Sequence, residues 1–409
     1  MHFRITEVCY YHNVSEMKKS ILILAFILIA GNIHLYPQSY SAIRAYLVTC
    51  APGTETYSIY GHSALRIVNM YNGSDLVYNW GVFDFSTPHF ALKFAKGRLD
   101  YMVDDTSLQS FLEEYVYEKR SVYEQKVNLE PEEIQKLLAL LEENLKPENI
   151  KYRYDFFYDD CSTRIRDLLE KTLGSKLLYP PEERKGQPTF REKVGKYQKS
   201  YPWLDLGINL IMGHPGEKKT TFRDNMFLPL DLQGCLSQAL VNRNGRMIPL
   251  LQNPEVLLQF DPPATKSRFY TIPVFLFTLM LVLIIILLSL NRKRKFNRIL
   301  DLLLFTVFSA LSLLMIFFNF FTDHIEMKWN LNIIWLSPFV LLCLTSLILN
   351  KDWRTWFRTV FFLCLISLLI QLFFPGGYNT AFIPLTLILM LRSAARAGFS
   401  WNPLSLDSI

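Results

Sequence analysis

The chain has 409 residues, enough for two or three ordinary domains, and a formal net charge of +6. Half of it is hydrophobic, and long apolar runs crowd the region beyond about residue 263, with short basic clusters beside them. That pattern belongs to membrane topology, and without a basic, aromatic-interleaved groove motif it excludes nucleic-acid binding.

The amino terminus carries a positive stretch, Met17-Lys18-Lys19, followed by an apolar run from Ser20 to Ala30. This run has the length of a secretory signal and is short for a stable span. Cleavage is expected near Gln38, with an uncleaved anchor as the alternative; residues 1–16 read as an extension upstream of Met17. Residues 1–39 are therefore extension and signal, and 40–263 an exported domain. An exported domain can oxidise its thiols. It holds Cys50, Cys161 and Cys235, an odd number that leaves at least one unpaired. Cys50 and Cys235 are a candidate pair.

The exported domain opens with a strand, AIRAYLVTC, closed by a turn at Pro52-Gly53. SALRIVN (Ser63 to Asn69) alternates apolar and polar residues as a strand does. Asn72-Gly73-Ser74 is a hairpin turn signal, and Asp75 to Phe85 is the return strand. His62 then starts one strand, with Asn79 and Asp84 on or just beyond its partner. Leu108 to Arg120 has helical period, Ser121 to Leu129 is extended, and Glu130 to Leu145 is an amphipathic helix with Pro131 in its first turn.

The stretch FFYDDCSTRIRD (Phe156 to Asp167) follows. Ile165, Leu168, Leu169 and Leu173 fall at helical spacing, so Cys161 stands at or near a helix amino terminus. Free amides and the helix dipole there favour negative charge, and the thiolate is the nucleophilic form. Asp159 and Asp160 act against it, so an imidazolium nearby would help. His62 is the first candidate; His89 lies in a loop and His214 in a turn-rich segment. A buried, purely structural thiol is the competing reading. No CxxC or HExxH occurs, which argues against a zinc site.

Five apolar runs follow, at about Phe269–Leu290, Ile299–Phe321, Leu331–Leu349, Val360–Phe374 and Ala381–Leu391, in a membrane domain spanning 264–398. Runs of about 20 apolar residues match a bilayer core. Basic segments at Asn291–Arg298, Asn350–Arg358 and Arg392–Gly398 are expected in the cytoplasm by the positive-inside rule. Residues 399–409 form a cytoplasmic tail. The large domain is then outside, as the signal also requires, tethered by Asp261 to Lys266. No intramembrane carboxylate or cation stands out, which argues against a pump or proton-coupled transporter.

YSIYGHSALRI, YNWGVFDF, RSVYEQKVNL and YDFFYDDCSTRIRD occur here in the order of the Lnb-type periplasmic domain, and FRDNMFLPLDL fits its later part. From about Ala42 to Leu232 the chain resembles this family, the Lnb-type lipoprotein N-acyltransferases, and continues into a membrane half of the same kind. The resemblance implies an α+β fold: a permuted papain-like (NlpC-like) outer domain, His62 preceding Cys161, then a helical transmembrane domain of about five spans. It implies a multi-pass protein of the bacterial inner membrane with the catalytic domain in the periplasm.

The implied reaction is a ping-pong acyl transfer. Cys161 takes an acyl chain from a membrane phospholipid as a thioester, and His62 serves as base. The acceptor is the α-amino group of the diacylglyceryl-cysteine of a diacylated lipoprotein. No metal or soluble cofactor is implied. Asn79, then Asp84, are the candidates to orient the imidazole. Tyr60 and Arg164 are candidates to line the site, Arg164 toward a lipid phosphate. His324, in the outer loop Thr322–Asn332, is a candidate to reach its lipid-facing side. The family is expected to carry asparagine before the cysteine, where this chain has Asp160, an acid that would raise the thiol pKa. Two other readings compete: a papain-like peptidoglycan amidase or peptidase, and a non-catalytic envelope scaffold. Oligomeric state is not legible in these residues.

Overall fold

The computed structural model describes residues 40–182, 186–262, 269–290, 294–373 and 378–399. The expected signal segment, most of the tether and residues 400–409 lie outside the described residues. From Ala42 the described chain belongs to one folded unit.

β1 (Ile43–Cys50) and β2 (His62–Asn69) pair antiparallel over their full length, from Ile43 opposite Asn69 to Cys50 opposite His62. β3 (Ser74–Val82) returns from β2, its turn closed by Asn72 Oδ1 accepting from the Ser74 amide at 2.9 Å. The strand ends at Val82, three residues before the expected Phe85. Asp84 lies beyond it in a turn, where its carboxylate accepts from the Ser86 amide and hydroxyl, each at 2.7 Å. α1 (Phe90–Ala95) and β4 (Asp100–Ser107) follow. Sequence reading missed β4, because its charged Asp100, Asp104 and Asp105 mask the strand pattern.

α2 (Leu108–Glu118) is capped by Ser107, β5 (Val122–Lys126) runs beside β1, and α3 (Pro131–Leu145) has Pro131 at its first position. β6 (Lys151–Arg153) pairs with β4, and α4 (Cys161–Leu173) begins at the cysteine. β7 (Leu177–Leu178), α5 (Phe190–Gln198), α6 (Pro202–Ile211) and α7 (Pro229–Gln238) complete the helical part. β8 (Leu240–Arg243) and β9 (Arg246–Pro249) form a small sheet with β7, and β10 (Glu255–Leu258) joins the main one. The main sheet has seven antiparallel strands in the order β10-β5-β1-β2-β3-β4-β6. Val48, Cys50, Ala64, Val77 and Val122 pack with Phe111 and Tyr115 of α2. α3 and α4 pack on β1, β2 and β3. Each fully buried aliphatic side chain here stabilises the fold by about 1.5–3 kcal/mol.

Cys50 and Cys235 are both free thiols, so the candidate disulfide is not formed. Cys50 ends β1 inside the core, while Cys235, on α7, rests near the Phe222 carbonyl. The two are fixed to different packing layers.

The membrane half comprises α8 (Pro273–Leu290), α9 (Arg294–Phe320), α10 (Phe339–Ile348), α11 (Arg354–Phe373) and α12 (Phe382–Ala397). α8, α9 and α11 are long and apolar enough to cross a membrane. The third run breaks expectation. Its helix has only 10 residues, a rise of about 15 Å, roughly half a bilayer core. Pro338 caps it, and the preceding residues leave the helix to bind the soluble domain. α12 outruns its expected end and carries Pro384 in its first turn, where the missing N–H costs nothing. The bundle core includes Phe305, Phe308, Trp335, Val360, Phe382 and Ile388. It also holds a carboxylate that the sequence did not flag. Asp301 of α9 is fully buried and pairs with Arg392 at 2.6 Å and Arg396 at 2.5 Å on α12.

The two halves are joined by specific polar contacts. Asn330 and Asn332 donate to the Leu210 carbonyl at the end of α6, at 2.7 and 3.1 Å. Asn379 donates to Asp205 Oδ2 at 2.6 Å. Gly213 and His214 donate their amides to the carbonyls of Glu326 and Lys328, at 2.7 and 3.0 Å. A Cβ on Gly213 would stand 1.8 Å from the Lys328 carbonyl oxygen, so this approach requires glycine.

Candidate active site

The site is built where β2 begins. Gly61 turns the chain with φ +83, and a Cβ there would lie 2.7 Å from the Cys50 carbonyl oxygen. That close approach sets His62 as the first residue of β2, opposite the last residue of β1. Arg66 fixes the register of the hairpin, pairing with Asp75 on β3 and Glu124 on β5, each at 2.7 Å. The register brings Asn79 of β3 to His62, and its Oδ1 lies 2.6 Å from His62 Nε2. Bonding to an amide oxygen requires the proton on Nε2, which leaves Nδ1 with the lone pair of a base. Asp84 is not brought to His62, because the strand ends two residues earlier.

Asp160 caps α4. Its Oδ1 accepts from the amides of Ser162 at 2.9 Å and Thr163 at 2.8 Å, and Thr163 Oγ1 accepts from the Asp160 amide at 2.7 Å. This reciprocal box explains why a helix starts after two acids. Cys161 is the first helical residue and is buried. Ser162 Oγ meets Ser63 Oγ at 3.3 Å, docking the helix start on β2 one residue past His62. The Cys161 thiol is 3.9 Å from Ser162 Oγ.

Burial pushes the Cys161 thiol up, opposed by the backbone amide of Ser63, the Ser162 hydroxyl and amide, and its own amide. Burial also pushes the His62 imidazolium down. Asn79 opposes that shift, and the Arg120 charge adds to it. Burial thus favours a thiol and a neutral imidazole at these two positions. Asp160 is buried, and burial holds its carboxyl well above the usual carboxylate range against its cap bonds. A protonated carboxyl has one acceptor oxygen and one O–H donor, a set like that of asparagine. In that protonated form the departure from the expected asparagine is chemically small.

The other candidates are placed as follows. Tyr60 joins an aromatic cluster, its ring 5.0 Å from Phe156 and its hydroxyl accepting from Gln198 Nε2 at 2.7 Å. Burial pushes its phenol up to about 12. Arg164 makes a two-point pair with Asp159, at 2.6 and 2.9 Å, and lies 3.6 Å over the Tyr152 ring. His324 does reach the soluble domain. Its Nε2 is 3.0 Å from the Phe94 carbonyl and its Nδ1 3.1 Å from Glu326, and neighbouring Asp323 pairs with Arg98 at 2.8 Å. Burial alone would lower the His324 pKa, but Glu326 and the Phe94 carbonyl outweigh it and raise it. His324 is a clamp between the halves.

Sequence reasoning missed Ser63 and Ser162, the pair that docks helix on strand, although Ser63 sat beside the named histidine. It also missed Arg120, a buried cation donating to the Ala51 carbonyl at 2.8 Å and to Glu118 at 2.7 Å. A Lys-Arg pair at a helix end reads as surface, so no local signal marked it.

Two family models match the chain: the Lnb N-terminal periplasmic domain over residues 36–185 and the Lnb transmembrane domain over residues 264–400. They follow one another in the order that the architecture shows. No curated protein and no solved structure matches the chain.

Proposed function

The chain belongs to the Lnb family, membrane proteins with a periplasmic domain that modify lipoproteins, and from that premise we propose that it is an inner-membrane lipoprotein N-acyltransferase working through a Cys161 thioester. The periplasmic domain is read as permuted papain-like, with the histidine strand ahead of the cysteine helix. The observation that carries the reading is the juxtaposition at the start of β2. There Asn79 holds His62 at 2.6 Å, and the helix bearing Cys161 docks on the very next residue, Ser63.

In the first half-reaction Cys161 Sγ attacks an ester carbonyl of a phospholipid, and His62 Nδ1 takes the thiol proton. The oxyanion forms near the α4 amino terminus, where the helix dipole favours negative charge. Collapse breaks the ester bond, and the leaving alkoxide takes the proton from His62 to give a lysophospholipid. In the second half, the α-amine of a diacylglyceryl-cysteine attacks the thioester while His62 takes its proton. Collapse forms the amide and returns the proton to sulfur. The membrane half supports this substrate pair, since donor and acceptor both reside in the bilayer and share its confinement. Phe94, whose carbonyl meets His324, stands exposed, as do Phe85 and Leu92, apolar surface suited to meeting lipid.

The test is lipoprotein mass spectrometry in a strain lacking this protein, complemented with the native chain or with Cys161→Ala. Amide-linked acyl chains should return only with the native chain. Return with both would remove Cys161 from the mechanism. Unchanged lipoprotein mass in the deletion strain would sink the acyltransferase reading and favour peptidoglycan hydrolysis. His62→Ala should lower the rate by roughly 10²–10⁴-fold.

A further inference from the structure

At the end of the bundle away from the periplasmic domain lies a cavity of about 1630 Å³. Pockets for drug-sized molecules run to roughly 300–1,000 Å³, so this one suits something larger. It is formed where the last turns of α8 and α12, the first turns of α9 and α11, and the α10–α11 connection converge. Six cations line it: Lys295, Arg298, Lys351, Arg354, Arg392 and Arg396. Two carboxylates stand against them. Asp301 is committed to Arg392 and Arg396, and Asp352 pairs with Arg354 at 2.9 Å. Six cations against two acids leave four positive charges in excess. Arg298 donates only to the Leu347 carbonyl among the described residues, at 3.3 Å.

The other wall is apolar, with Ile285, Leu288, Phe361, Phe362 and Met390. Asn297 Oδ1 also lines the cavity region, buried and without a partner among the described residues. The positive-inside rule accounts for basic residues on this face. It does not account for their convergence from three helices and the α10–α11 connection on one apolar-walled cavity. A soluble anion would satisfy the charge and make no use of the apolar wall. A neutral lipid would satisfy the wall and leave the charge.

We propose that this cavity is a binding site for one anionic glycerophospholipid, its phosphate among Lys295, Arg298, Lys351 and Arg354 and its acyl chains along Ile285, Phe361 and Met390. Basic pockets between helix ends are the usual way membrane proteins hold anionic head groups. The amino terminus of α11, at Arg354, adds its dipole to the phosphate side. The site lies at the opposite end of the bundle from Cys161. It therefore takes a structural or regulatory lipid and not the acyl donor, and it holds whether or not the acyltransferase reading does.

The experiment uses full-length protein carrying Cys161→Ser, so that no lipid is consumed. Binding of phosphatidylglycerol, phosphatidylcholine and glycerol 3-phosphate is followed by native mass spectrometry and by melting temperature in detergent. Phosphatidylglycerol should be retained and should raise the melting temperature, well beyond the other two. Lys351→Gln/Arg354→Gln should weaken phosphatidylglycerol by roughly tenfold or more and leave phosphatidylcholine unchanged. Lys295→Gln/Arg298→Gln should do the same, so that a folding defect in one pair does not decide the result. Both pairs leave Asp301, Arg392 and Arg396 intact. Equal binding of phosphatidylcholine, or undiminished phosphatidylglycerol binding in both folded variants, overturns the proposal. Equal effect of glycerol 3-phosphate replaces the lipid with a free phosphate ester.

Discussion

Replacing Asp160 separates its role as a cap from any role as a charge. Asp160 Oδ1 accepts from the Ser162 amide, the Thr163 amide and Thr163 Oγ1, at 2.9, 2.8 and 3.0 Å. Asp160→Ala removes an N-cap, about 1 kcal/mol, and leaves buried donors unsatisfied, about 1–3 kcal/mol more. The expected loss is about 2–4 kcal/mol, read as a clear fall in melting temperature of the purified protein. Asp160→Asn keeps an acceptor oxygen in place and should cost under about 0.5 kcal/mol. The pH dependence gives the sharper signal. The folded Asp160 carboxyl is raised above its unfolded value, so its contribution is fully present below that unfolded value, about 3.9. It is lost as pH rises through the folded value. Asparagine does not titrate, so Asp160→Asn should gain on the native chain as pH increases from acid toward neutral. Melting curves of both proteins from pH 4 to 8 (about four units) test this. Parallel curves, or an asparagine variant as unstable as the alanine one, would refute a protonated, asparagine-like Asp160.

The proposed positioning role of Asn79 is tested by the acid limb of the pH–rate profile. Burial holds the His62 pKa below 6.5, so kcat/KM should stay high as pH falls until the imidazole gains its proton. Asn79→Ala should cut the rate by up to roughly 10²-fold and move that limb to lower pH, since Asn79 supports the charged form. Asn79→Asp should move it to higher pH, and a limb that stays put in both variants would remove Asn79 from this role. Gly213→Ala should loosen the soluble domain from the membrane half, because its Cβ would stand 1.8 Å from the Lys328 carbonyl oxygen. Faster proteolysis of the 322–332 loop is the expected readout, and unchanged cleavage would show that the contact is dispensable. Cys50 and Cys235 should both alkylate after unfolding without reductant. In the folded protein both should react slowly, since burial pushes their thiols up to about 12 and about 11. Recovery of a Cys50–Cys235 disulfide peptide would contradict the free thiols. The His324 clamp has a folded pKa above 6.5. Its contribution is complete below that value and fades as pH rises through the folded one, so hydrogen exchange in 94–98 should quicken with pH beyond the intrinsic rate.

What the sequence determined by itself were features written in a short window. Alternation marked β2, Asn72-Gly73-Ser74 marked its turn, and the spacing of Ile165, Leu168 and Leu169 placed Cys161 at a helix start. Such signals are legible because period and turn chemistry act over a few residues. Apolar length likewise announced the membrane half. The tertiary structure decided everything that depends on which segments meet. Asn79 and not Asp84 reaches His62, because strand register and the end of β3 at Val82 set the reach. The third apolar run yields only a short helix: Pro338 caps it, and Asn330 and Asn332 ahead of it bond to the Leu210 carbonyl of α6. Asp301 escaped notice as an intramembrane charge because its two arginine partners lie some ninety residues away in sequence. Cys50 and Cys235 stay reduced because each is fixed in a different layer. Pairwise contacts between distant residues carry no local periodicity, and the chain reveals them only once it is folded.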